Sequence, residues 1–127
     1  MRHLVLAVVL SLSAVPVLAQ GVREYRVLAT SKTSTMEKEM NAAAEAGYVY
    51  SAVMGGETAF GGTEAVVMQK NPTPSAMAFK LLATSKTSTM QKELDEAGGA
   101  GYSVVGMTVS KTAMGGAELV AIARRDR

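Results

Sequence analysis

The chain has no cysteine and no tryptophan, one histidine, two phenylalanines and three prolines among its 127 residues. Without cysteine there is no disulfide, no thiolate nucleophile and no zinc–thiolate cluster, so the fold must stand on packing alone. The histidine, His3, precedes a long apolar run and would leave with it on processing. Nucleophilic triads and imidazole metal sites are then excluded from what remains. Charge of one sign is lacking as well. Thirteen Lys and Arg stand against eleven Asp and Glu, scattered along the chain, and aromatic residues are 5% of it. Neither a basic groove nor a stacking platform for nucleic acid can be built from that. After the first twenty residues, no apolar run approaches the roughly 20 residues a spanning helix needs.

The N-terminus has a recognisable plan. Met1-Arg2-His3 is a short basic start, Leu4 to Val17 is apolar apart from Ser11, Ser13 and Pro16, and Val17-Leu18-Ala19 precedes Gln20. Small or β-branched residues three and one positions before a cleavage point mark a secretory signal peptide, here ending at Ala19. The expectation is an exported protein, periplasmic or secreted, with no stable membrane insertion and a single domain over residues 20–127. No cysteine follows the cut, which excludes lipid attachment there.

Within that domain the chain repeats itself. Residues Tyr25–Lys70 align without a gap on Phe79–Arg124, and 21 of 46 positions are identical. The nine residues from Leu28 to Met36 recur letter for letter from Leu82 to Met90. Residues 71–78, with Pro72 and Pro74, read as the linker, since proline continues neither a helix nor an inner strand.

Each copy reads β-α-β-β. Tyr25, Val27 and Ala29 alternate with Arg26, Leu28 and Thr30, the pattern of a half-buried strand, and Phe79–Thr84 repeats it. Ser34-Thr-Met-Glu37 and Ser88-Thr-Met-Gln91 match a capping box, which makes Ser34 and Ser88 the expected caps. Met36, Met40, Ala43 and Ala44 then form an apolar stripe, answered by Met90, Leu94, Ala97 and Gly98. Gly47 and Gly101 stand where a left-handed residue ends a helix, each followed by a tyrosine. Strands follow at Tyr48–Met54 and Thr63–Lys70, and again at Tyr102–Val109 and Ala117–Arg124. The expected fold is α+β, two tandem repeats in a two-layer sandwich with both helices on one face of an antiparallel-rich sheet. The pattern leaves open whether the six strands make one sheet or two.

These features resemble a small bacterial β-α-β-β domain family of unknown function, here in tandem. The resemblance rests on the Tyr-initiated strand with a basic second residue, the helix ending in Ala-Gly-Tyr, the Gly-rich hairpin, and the closing strand ending in Lys or Arg. It implies the fold and no activity.

Chemistry is sparsely provided for. Carboxylates recur in register only at Glu39/Glu93 and Glu64/Glu118, and both pairs read as surface charge rather than a catalytic pair. The methionines could be thioether ligands for Cu(I), but Met40, Met54 and Met68 become Leu94, Thr108 and Ile122 in the second copy. Packing explains them better. No catalytic residue, metal or cofactor is expected.

Two features could carry binding. The duplicated loops place Lys32, Thr33, Ser34 and Thr35, and Lys86, Thr87, Ser88 and Thr89, at helix N-termini, where amides and dipole favour an anion. The hairpin loops carry Phe60 and Met114 just before glycine pairs. With Leu28 and Leu82 on the second face of the opening strands, these are candidate contact residues. The sequence therefore predicts an exported, non-catalytic interaction module, self-associating or bound to another exported protein. The alternative is a binder of anions or small phosphorylated ligands through the duplicated loops.

Overall fold

The computed structural model describes residues 22–58, 61–71, 77–111 and 116–127; the expected signal peptide lies outside them. The first copy forms β1 (Tyr25–Thr30), α1 (Thr33–Glu45), β2 (Tyr48–Thr58) and β3 (Gly61–Lys70). The second forms β4 (Met77–Thr84), α2 (Thr87–Gly99), β5 (Ser103–Lys111) and β6 (Ala117–Asp126). This is the α+β fold of two β-α-β-β units. The strands make two separate antiparallel sheets, ordered β1-β3-β2 and β4-β6-β5.

The helices start differently from the capping-box expectation. Lys32 and Lys86 are the N-caps, both extended and both without a side-chain capping bond. Ser34 and Ser88 lie inside the first turn and are exposed. The cause lies two residues upstream. The Thr30 hydroxyl accepts from the Lys32 amide at 3.2 Å and that of Thr84 from Lys86 at 3.3 Å, so a local hydroxyl turn aims the chain into the helix. The helix ends follow the sequence. Gly47 and Gly101 have φ of 92° and 88°, and Tyr102 N–H closes a Schellman-type bond to the Ala97 carbonyl at 3.0 Å.

Met36, Met40, Ala43 and Ala44 are buried as the apolar stripe requires. They belong to one core with Leu28, Val66 and Met68 from their own sheet, and with Phe79, Leu81, Val120 and Ile122 from the other. Helix α1 is therefore wedged between the two sheets. Helix α2 uses Met90 and Ala97 to cover the opposite face of the second sheet, over Leu82 and Ala121. The two helices thus lie on opposite faces of the second sheet. The layers run β1-β3-β2 sheet, α1, β4-β6-β5 sheet, α2.

The gapless alignment also slips in space. Leu28 lies opposite Val66, whereas Leu82 lies opposite Ala121 rather than Val120. One residue of shift turns a strand's side chains to its other face. Val66 and Met68 therefore face α1 from one sheet, and Val120 and Ile122 face it from the other. Strand β6 is buried on both faces from Val120 to Ala123, while β3 alternates between buried and half-buried residues.

Candidate functional site

The joint between the two units is built from polar as well as apolar groups. Strand β4 is an edge, so Phe79 and Leu81 turn their outer backbone groups away from β6. Helix α1 satisfies them with side chains one turn apart. The Asn41 amide donates to the Phe79 carbonyl and accepts from the Phe79 N–H, both at 2.9 Å. The Glu37 carboxylate accepts from the Leu81 N–H at 3.1 Å. Glu37 is thus committed to the neighbouring unit rather than to its own helix cap.

Beside this joint the sheets touch directly. Gly55 N–H donates to the Thr108 hydroxyl at 2.9 Å, and a side chain at Gly55 would run into the Val109 carbonyl. A side chain at Gly106 would strike the Tyr50 phenol and Val53. Two missing Cβ atoms let β2 and β5 close on each other.

Outside the joint, two apolar surfaces stay uncovered among the described residues. On the far side of the first sheet, Val27, Val67 and Ala52 form one cross-strand row and Ala29, Ala65 and Met54 the next. Tyr25, Val27 and Met54 are 55–70% exposed there. Among the described residues no strand pairs with the outer edge of β1 either. Lys70 N–H donates to the Glu24 carbonyl at 2.8 Å, which fixes the phase of pairing and turns the backbone groups of Tyr25, Val27 and Ala29 outward. At the other end, α2 lies over β4 and β6, and the neighbouring Val104, Met107 and Val109 of β5 are 47–56% exposed. Gln91 and Asp95 project from the same helix, exposed and bonded to each other at 3.1 Å.

Between the sheets sits one unusual carboxyl. Glu64 lies on the inward face of β3, 2% exposed, between Thr30 and Gly55, and its Oε1 finds no hydrogen-bond partner. Burial, and secondly the Glu118 carboxylate, push its pKa up to about 7. The register slip explains the meeting, since Glu118 shares the inward face of Val120 and Ile122. These two glutamates, which the sequence suggests are surface charge, are thus brought together, with Glu64 buried. Among the described residues no group of three or more acidic or histidine side chains could hold a metal.

The predicted site residues fall out as follows. Leu28 and Leu82 are buried under the helices of their own units, so neither can be a contact residue. Alternation places the exposed position one residue earlier, at Val27. Phe60 and Met114 lie outside the described residues. Lys32, Ser34, Lys86, Thr87 and Ser88 are exposed, whereas Thr33, Thr35 and Thr89 are half-buried. Met36, Met40, Met68 and Met90 are core residues, as packing requires. A cleft of about 240 Å³ that sequence reasoning missed opens at one end of the second sheet, lined by Met77, Gly101, Ser103, Arg124, Arg125 and Asp126. It is smaller than most small-molecule sites. Its Arg125 is committed to the Ala100 carbonyl at 3.0 Å and to the Tyr102 ring. Among the described residues no helix is long and apolar enough to cross a membrane. Comparison with known protein families, curated proteins and solved structures finds no match for this chain.

Proposed function

We propose that this chain is an exported, non-catalytic interaction module that works by protein–protein contact on the outer face and free edge of the β1-β3-β2 sheet. One observation carries the reading. An antiparallel sheet with one solvated face ordinarily shows polar residues there, yet this face presents Val27, Ala29, Ala52, Met54, Ala65 and Val67 beside an open strand edge. A photocrosslinking residue at position 27 tests it in the cell that makes the protein. Discrete covalent adducts are expected from position 27 and not from position 38, where exposed Lys38 projects from α1. No adduct from position 27 would refute the reading.

A second reading, a binder of anions or small phosphorylated ligands, draws on the helix N-termini. Both open on a lysine cap with no side-chain capping bond, and hydroxyls and lysine surround those first amides in both copies. A rise in melting temperature with phosphate, abolished by Lys32→Ala with Lys86→Ala, would support it.

A further inference from the structure

We infer that the partner for the exposed sheet is the α2 end of a second copy of this chain, docked head to tail as the second unit docks on the first. The inference rests on the interaction reading above and names its occupant.

The edge and apolar halves of the internal joint recur, unused, at the two ends of the molecule; the Gly55–Thr108 bond does not, because Val109 and Met54 stand at the equivalent positions. Inside the chain, Glu37 and Asn41 of α1 satisfy the outer edge of β4 at Phe79 and Leu81. At matching positions α2 carries Gln91 and Asp95, and β1 presents the outward backbone of Tyr25 and Val27. The pair on α2 is again one amide and one carboxylate, in exchanged order. At present these two only bond to each other. The apolar parts correspond too. Tyr50 and Val53 of the first unit meet Gly106 of the second. The equivalents of Tyr50 and Val53 are Val104 and Met107, and the equivalent of Gly106 is Ala52, all of them exposed.

Exposure follows the same division. Among the described residues, six of the seven large exposed hydrophobics lie on these two ends: Tyr25, Val27 and Met54 on one, Val104, Met107 and Val109 on the other. Stacking units bury a face that a single unit cannot, and terminal units carry a polar cap where a stack is meant to stop. Among the described residues the outer face of the first sheet has no such cap, and at the other end the polar face of α2 covers β4 and β6 but leaves Val104, Met107 and Val109 of β5 bare. The two surfaces differ, so the contact is heterologous, and repetition gives a ring or an open filament rather than a twofold dimer. Val109 stands where the first unit has Gly55. Its side chain keeps two copies from closing as tightly as the units within one chain, which makes the association reversible.

Single-end variants test this by light scattering or sedimentation on the purified, processed protein. Val27→Lys blocks one end and Met107→Lys the other; both residues are exposed, and an unchanged circular dichroism spectrum and melting temperature check the fold. The parent is expected to gain mass with concentration beyond twofold. Each variant alone stays monomeric, and an equimolar mixture doubles in mass and stops, because each copy supplies the end the other lacks. Two results overturn the inference. In one, Val27→Lys is monomeric, Met107→Lys still dimerises and mixing adds nothing, which is a twofold contact through the sheet. In the other, the parent is monomeric throughout. The interaction reading survives either result if position 27 still crosslinks to a protein, and falls if it does not.

Discussion

Glu64 gives the most exposing test of the interior, because the repeat's register slip is what buries it against Glu118. A carboxyl raised from its ordinary 4.5 to about 7 binds its proton more tightly in the folded chain than in the unfolded one. Below about pH 4.5 both states hold the proton, and the neutral carboxyl's contribution to stability is fully present. As the pH rises through the interval up to about 7, the unfolded chain ionises first and stability falls. Above about pH 7 the folded chain carries a buried carboxylate facing a second one, and the contribution is gone. Integrated from pH 5 to pH 8, the loss is on the order of 2 to 3 kcal/mol.

Glu64→Gln keeps the shape and removes the titration. Urea unfolding followed by circular dichroism at pH 5, 6, 7 and 8 is expected to show the parent losing stability with rising pH and the variant remaining flatter by that amount. The comparison between pH values matters more than the absolute difference, because the new amide must also find partners. Glu118→Gln should flatten the parent's slope only partly, since burial is the larger cause of the shift and the neighbouring charge the smaller. Parallel curves for parent and Glu64→Gln from pH 5 to 8 would mean that Glu64 meets water, and the buried placement would be wrong.

Four further outcomes can be checked, the first three by the same unfolding measurement and the last by thermal melting. Asn41→Ala leaves both backbone groups of Phe79 without their side-chain partner and should cost about 2 to 3 kcal/mol, whereas the matching Asp95→Ala should stay within about 0.5 kcal/mol. Gly55→Ala drives a methyl into the Val109 carbonyl and should cost at least about 1 to 3 kcal/mol, while Gly56→Ala, with open space around it, should cost far less. Gly98→Ala restores the residue that α1 has at Ala44 and should stabilise α2 by about 0.5 to 1 kcal/mol. Phosphate and sulfate should shift the melting temperature of the parent and of the Lys32→Ala, Lys86→Ala protein alike; a shift confined to the parent would favour the anion reading.

The units themselves were legible because local signals fix them. Gly47 and Gly101 had to be left-handed for the chain to leave each helix, and the Met36–Met40 stripe could bury itself only on a sheet. Single-letter patterns failed where two local signals competed. Ser34-x-x-Glu37 looks like a cap, but Thr30 turns the chain first and Glu37 has a better partner in the Leu81 amide. The placement of Glu118 failed for a longer-range reason. Sequence identity aligns it with Glu64 at a constant offset, and only cross-strand register shows that β6 has moved by one residue relative to β3. Alternation in β1 named the correct two faces, but which one a helix would cover was not in the strand. Leu28 went inside and Val27 stayed outside because α1 folds back over the sheet on the Leu28 side.

That slip also bears on why two near-identical units occupy unlike positions. A twofold arrangement would let each helix cover the other unit's edge strand and would leave no exposed edge between them. Here α1 packs on β4, but α2 makes no comparable packing on β1. The second sheet is therefore covered on both faces, and β6 carries apolar residues on both, with Val120 and Ile122 toward α1 and Ala121 toward α2. Among the described residues the first sheet is covered on one face only, so its outer positions on β3 should be free to be charged. They are Ala65, Val67 and Gln69. Strand β3 is thus composed like a strand with a neighbour on both sides, and a solvated face offers no reason for that composition. A second copy docked by α2 would supply the missing layer and give the first sheet the environment the second already has.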